Sequence, residues 1–148
     1  MLYAILYTDG TLSFQKNNSI TAGKTLNKSW VTEEGKPFSF NNKYDKVYWR
    51  GYGTANNIKN IVFRDKINIY NLSAYFSFME NINSINYSGL NINNVTNISY
   101  TYCRCYNFTG HPVCGNNVIN MSFTYWYCNN LTGNPVCGSN VTDMSSTY

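Results

Sequence analysis

Acid–base chemistry has little to work with in this sequence. Its 148 residues include one histidine and seven Asp+Glu, and only 12% of them are charged. No stretch approaches the roughly 18 consecutive apolar residues that a membrane-crossing helix needs. Prolines number three. A disordered tail is excluded for a different reason: such segments carry few aromatics and a high net charge, whereas 17% of this chain is aromatic and the net charge is +4. Asparagine and tyrosine are what it has in abundance, with 25 Asn and 14 Tyr in a chain that is 43% hydrophobic. That is enough apolar material for a core, and the length suits one domain or one domain with a small appendage. The composition points to binding or structure and away from enzyme chemistry.

Met1 to Tyr7 (MLYAILY) is apolar but has no basic flank, and Thr8-Asp9-Gly10 interrupts it at once. A secretory signal would need a basic start, a longer apolar run and a small-residue cleavage site. Asp9-Gly10 between Leu2–Thr8 and Thr11–Lys16 instead predicts a β-hairpin with a tight primed turn. The fold is therefore expected to start at residue 1 without a leader, in a chain made in a cytosol with its five cysteines reduced. Residues 1–70 hold ten Lys/Arg against five Asp/Glu, while residues 71–148 hold Arg104 against Glu80 and Asp143. The cations are scattered among carboxylates, as on a solvated surface. There is no Gly-rich phosphate loop or helical basic run, so neither nucleic acid nor a cofactor is expected.

The second half repeats. Asn97-Ile98-Ser99-Tyr100-Thr101-Tyr102 aligns with Asn120-Met121-Ser122-Phe123-Thr124-Tyr125 and with Asp143-Met144-Ser145-Ser146-Thr147-Tyr148, at an offset of 23 each time. The agreement extends through Cys105/Cys128, Asn107/Asn130, Gly110/Gly133, Pro112/Pro135, Cys114/Cys137 and Val118/Val141. A looser copy begins at Asn71-Leu72-Ser73, 26 residues earlier. A fixed period in this range predicts stacked coils, in which each unit buries its apolar face on its neighbours. Ile98, Thr101, Tyr102 and Cys105 fall at i, i+3, i+4 and i+7, which predicts one face of a short helix. Phe108, Val113 or Cys114, and Val118 follow among Gly and Pro, which predicts a short strand with tight turns. The expected fold class is thus an α+β solenoid of short strand-plus-helix coils. Residues 1–57 would form a β-hairpin-led cap and 58–148 the solenoid, with repeats near 71–95, 96–118 and 119–141 and a partial one at 142–148.

Val95-Thr96-Asn97-Ile98-Ser99, Val118-Ile119-Asn120-Met121-Ser122 and Val141-Thr142-Asp143-Met144-Ser145 resemble the V-T-N-M-S signature of BspA-like leucine-rich repeats. Tyr125, Cys128 and Leu131 match the aromatic, Cys and Leu that follow in that family. Residues 82–95 (INSINYSGLNINNV) resemble its strand segment, and residues 58–70 the lead-in strand before a first coil. The resemblance implies leucine-rich-repeat-like coils and non-enzymatic recognition. Members are bacterial and protist surface adhesins, and short versions occur in bacteriophage. It implies a virion component (tail, fibre or head-associated) that touches a host surface or neighbouring subunits, or alternatively a bacterial cell-surface adhesin.

Several residues invite a site. Structural zinc takes four ligands, commonly from Cys-x₂₋₄-Cys pairs. Cys103-x-Cys105 is tighter, and His111 aligns with Asn134, so no metal is expected. Four cysteines fall into two columns, 105 over 128 and 114 over 137, as core thiols or as disulfides. Cys114 near His111 is the one nucleophile–base candidate, and it lacks an orienting third group. Ten Asn-x-Ser/Thr triplets read either as turn-forming Asn, whose amide bonds nearby backbone, or as glycan acceptors. Off the apolar face lie Tyr100, Arg104, Tyr106, Phe123, Trp126 and Tyr127. Such an aromatic row with an arginine suits a protein interface or a surface glycan, or else its members pack on the cap or on each other. The last copy breaks off at Tyr148 without a polar cap, which predicts that another subunit covers coil 119–141: a second copy or a virion neighbour. A truncated gene product is the alternative.

Overall fold

Alternation along the chain decides how the first strands sit. In the computed structural model, which describes residues 1–39, 47–50, 53–132 and 138–148, β1 (Leu2–Tyr7) and β2 (Thr11–Gln15) pair antiparallel, with Ala4 opposite Phe14 and Leu6 opposite Leu12. Side chains two apart share a face, so Leu2, Ala4, Leu6, Leu12 and Phe14 enter the core. Ser13 and Gln15 turn to the other face and are also buried. There the Ser13 hydroxyl donates to Gln15 Oε1 (2.9 Å) and accepts from Arg64 Nε (3.0 Å).

The expected hairpin is present, but its turn differs. Gly10 alone has a positive φ (83°) there, and its N–H donates to the Tyr7 carbonyl at 3.0 Å. The Asp9 carboxylate accepts from the Thr11 N–H at 2.9 Å. The connection is a three-residue loop with a left-handed glycine and not a two-residue primed turn. Aspartate can bond its own backbone without adopting a positive φ, which removes the need for the primed form.

β3 (Leu26–Thr32) adds to β1 antiparallel, β4 (Asn60–Phe63) adds to β2 in parallel, and β5 (Ser84–Asn86) adds to β4 in parallel. The strand order is β3-β1-β2-β4-β5. The β2–β4 pair crosses the boundary expected near residue 57, so both parts of the chain share one sheet. Phe14 stacks on Phe63 at 4.8 Å and meets Trp49 and Phe38 edge-on at 5.4 and 5.8 Å. The Trp49 indole N–H donates to the Tyr75 carbonyl at 2.6 Å, which joins this core to the first repeat.

The α+β solenoid of leucine-rich-repeat-like coils does not form. The architecture is an open, mixed, five-stranded sheet with almost no helix. Among the described residues helix is confined to α1 (Thr54–Asn57) and to 3-10 turns at Tyr48–Arg50 and Ile92–Asn94. The physical reason lies in the backbone of the segments expected to be helical. Tyr100 (φ 57°), Arg104 (61°), Phe123 (55°) and Tyr127 (61°) are left-handed, and so are Ala74 (59°) and Phe78 (64°) in the preceding copy. A right-handed helix cannot run through such residues.

The N–H groups there alternate between two kinds of acceptor. Thr101, Cys103 and Cys105 donate three residues back, to the carbonyls of Ile98, Tyr100 and Tyr102. Ile98, Tyr100, Tyr102 and Arg104 donate across to Asn120, Ser122, Thr124 and Trp126. Ile98, Thr101, Tyr102 and Cys105 are all buried, so the apolar spacing is that of consecutive turns and not of a helix. The strand expected through Val113, Cys114 and Val118 is not formed either. From Ile67 onward isolated parallel bridges pair Ile67 with Leu90, Asn71 with Asn97, Asn97 with Asn120 and Asn120 with Asp143.

Candidate functional site

Each copy begins with the same local device. The Asn side-chain oxygen accepts the N–H two residues on: Asn71 from Ser73 (2.8 Å), Asn97 from Ser99 (2.8 Å) and Asn120 from Ser122 (2.9 Å). Asp143 does the same with Ser145 (3.0 Å), and that N–H, with the Ser145 hydroxyl, holds its carboxyl below the usual range. This Asx turn leads into the left-handed residue that follows, and the copies are in register. The result is three adjacent columns: Ala74, Tyr100 and Phe123; Ser77, Cys103 and Trp126; Phe78, Arg104 and Tyr127.

The six residues singled out in the sequence come together on this face. Tyr100 and Phe123 stack at 4.8 Å with planes 5° apart, and Trp126 meets Phe123 edge-on at 5.6 Å. Tyr127 lies 4.6 Å from Trp126 and 6.3 Å from Tyr106, measured between ring centroids. The Arg104 guanidinium sits 5.9 Å from the Trp126 ring and 5.7 Å from that of Tyr127. Tyr100 and Tyr127 are 40% and 45% exposed. The rings therefore pack on one another and still present a surface, instead of being covered by the amino-terminal strands.

Two further members were missed. Phe78 lies 5.0 Å from the Arg104 guanidinium and 4.7 Å from that of Arg50. Its place was legible, since it precedes Arg104 by the 26 residues that separate Asn71 from Asn97. Arg50 carries no such signal, because it comes from a 3-10 turn outside the repeats. Beside these groups opens a cavity of about 170 Å³, lined by Arg50, Ser73, Ala74, Ser77, Phe78, Tyr100 and Cys103. The cause is a step in side-chain size. Where the later copies carry Tyr100 and Phe123, the first carries Ala74, and in the next column Ser77 and Cys103 are both small, with a large ring only at Trp126.

The thiols belong to the scaffold. Cys105 and Cys128 donate to the carbonyls of Phe76 (3.0 Å) and Tyr102 (2.8 Å) in the preceding copy. Burial pushes the Cys128 thiol up to about 12 and that of Cys105 well above its usual range. Burial also raises the Cys103 thiol, against the pull of the Arg104 and Arg50 charges. Cys103, Cys105 and Cys128 are free thiols, while Cys137, expected under Cys114, lies outside the described residues with Gly133 and Pro135. His111 is exposed, and the Cys114 thiol points to the Gly115 carbonyl at 3.6 Å. Among the described residues no three His, Cys, Asp or Glu side chains gather as metal ligands. The chain matches no family model, and no curated protein or solved structure is significantly similar to it.

Proposed function

We propose that the protein is a non-enzymatic recognition module that binds surface carbohydrate through the face formed by Tyr100, Arg104, Tyr106, Phe123, Trp126 and Tyr127. One observation carries this reading: the contiguous ring array, with Tyr100 and Tyr127 exposed, beside a cavity the size of a single ring. Aromatic faces bury the C–H side of a sugar while their polar tips stay wet, and an arginine among them orients the ligand by hydrogen bonds. The backbone adds support. Tyr100, Arg104, Phe123 and Tyr127 occupy left-handed positions at which glycine is less strained by about 1–2 kcal/mol each. The resemblance of residues 95–99 and 118–122 to repeats of recognition proteins points the same way. In this reading the protein serves a surface that must find another, as a virion component or a cell-surface adhesin would.

The test is binding of the purified chain to an immobilised glycan array, with Tyr127→Asn as the comparison, because asparagine tolerates a left-handed backbone. The expected result is saturable binding to at least one saccharide, weakened tenfold or more by Tyr127→Asn while the circular dichroism spectrum and thermal midpoint stay close to those of the parent. A parent that binds no saccharide, or a variant that binds as the parent does, overturns the proposal.

A further inference from the structure

We infer that the cavity beside Ala74 is a specificity pocket for one carboxylate-bearing pyranose residue, whose ring completes the column of Tyr100 and Phe123 and whose carboxylate is held by Arg104 with Arg50. The inference rests on the carbohydrate reading above and adds the class of sugar.

Three observations carry it. The first is geometric. One side of Tyr100 is taken up by Phe123 at 4.8 Å, and the next position in that column is Ala74, whose methyl leaves the cavity open. The column thus stops one ring short, and the missing rung is a space of about 170 Å³. A cavity of about 150 Å³ takes one benzene-sized ring. The second observation is electrostatic. The guanidinium carbons of Arg50 and Arg104 both lie within 5.0 Å of the Phe78 ring centre, which puts two positive charges within about 10 Å of each other, Arg50 in the cavity wall and Arg104 against Phe78 beside it. Among the described residues Arg104 is not in an ion pair, and its planar fork suits bidentate carboxylate recognition. The third is the split character of the walls. Tyr100 and Phe78 offer apolar faces, while Ser73 and Ser77 add hydroxyl oxygens, the first paired with the Ser99 hydroxyl (2.9 Å) and the second donating to the Ala74 carbonyl (2.8 Å). A pyranose has the matching split between its C–H face and its hydroxyl edge, whose donors suit the lone pairs these oxygens keep, whereas a purely aromatic acid brings no such donor.

Carboxylate-bearing pyranoses come from two sources, sialic acids and uronic acids, and the experiment separates them. The full-length chain would be titrated with 3′-sialyllactose, with its methyl ester, with trigalacturonic acid, with lactose and with benzoate, following amide chemical shifts. One of the two acidic saccharides is expected to bind at least tenfold more tightly than lactose and, for the sialoside, than the ester. Whichever binds names the source. Ala74→Phe should abolish that preference by filling the missing rung; Tyr100 and Phe123 show that a left-handed position of this turn accepts a large ring. Arg104→Gln should weaken the acidic saccharide at least tenfold more than it weakens lactose, so that the preference is lost, and it decides the matter if Ala74→Phe does not fold.

Acidic and neutral saccharides binding alike, an Ala74→Phe protein that folds and keeps the preference, or benzoate binding as tightly as the acidic saccharide would each overturn the inference. Saccharide binding that Tyr127→Asn removes and Ala74→Phe does not touch would remove this pocket but leave the proposed function standing. No binding of any saccharide would remove both.

Discussion

Replacing Thr124 tests whether the copies are fastened by their buried threonines. Thr101, Thr124 and Thr147 form a column in which each hydroxyl faces two carbonyls, one in its own copy and one in the copy before. For Thr124 these are Met121 at 2.7 Å and Ile98 at 2.9 Å. A hydroxyl has one proton, so the bond is a single donor shared between two acceptors. Neither carbonyl depends on it alone. That of Ile98 also accepts from Thr101 through its N–H (3.1 Å) and hydroxyl (2.7 Å), and that of Met121 also accepts from the Thr124 N–H (3.2 Å) and the Thr147 hydroxyl (3.0 Å). Thr124→Val therefore orphans no acceptor and should cost about 1–2 kcal/mol, one net hydrogen bond plus the crowding of a methyl where an oxygen sat. Thr124→Ser keeps the bond and loses one buried methyl, about 1 kcal/mol, and Thr124→Ala loses both, about 2–3 kcal/mol. Urea unfolding followed by tryptophan fluorescence would measure the series, and 1 kcal/mol corresponds to a shift of about 3–4 °C in thermal midpoint for this length. Thr96→Val is the control: its hydroxyl reaches the Tyr70 carbonyl at 3.2 Å from an exposed position and should change stability by less than about 0.5 kcal/mol. A Thr124→Val protein as stable as the parent would refute the reasoning, since the column would then be packing alone.

Two further outcomes follow from the hairpin. Gly10→Ala should destabilise by about 2 kcal/mol or more, because φ is +83° and a Cβ would stand 2.6 Å from the Asn57 carbonyl oxygen. Gly23→Ala, left-handed at φ +76° but with nothing within 4 Å, should cost only about 1 kcal/mol, and chemical denaturation of both isolates the contact. Asp9 has its carboxyl lowered to about 2, chiefly by the hydrogen bond from Lys24. A depressed carboxyl contributes stability above its unfolded value near 3.8, and that contribution is lost as pH falls towards 2. The parent should therefore exceed Asp9→Asn by less than about 1 kcal/mol at pH 6, the pair being exposed, and the gap should close between pH 4 and pH 2. A gap that persisted at pH 2 would refute the assignment.

The sequence revealed the spacing of this protein more faithfully than its backbone. Asp9-Gly10 between alternating strands was enough to place β1 and β2, because the hydrogen bond from Thr11 to Asp9 is local and needs no partner from elsewhere. The offsets of 26 and 23 were visible for a similar reason: every copy needs the Asn or Asp oxygen that accepts from the N–H two residues on. What those copies become could not be read in the same way. The i, i+3, i+4, i+7 pattern of Ile98, Thr101, Tyr102 and Cys105 fits a helix, and it fits equally a chain that turns every three or four residues. The two differ at Tyr100 and Arg104, where a left-handed backbone ends the helix, and Gly or Asn would have given warning of it. Tyr, Arg and Phe there give none. The parallel pairs of β2 with β4 and of β4 with β5 were equally hidden, since each joins segments tens of residues apart and depends on the aromatic core around Phe14. The aromatic face was legible because its columns repeat. The cavity beside it arises where the repeat fails, at Ala74, and its charge comes partly from Arg50, outside the repeat altogether. A periodic sequence announces its scaffold at every copy, so the positions at which one copy departs from the others are where a ligand site can be distinguished from the scaffold.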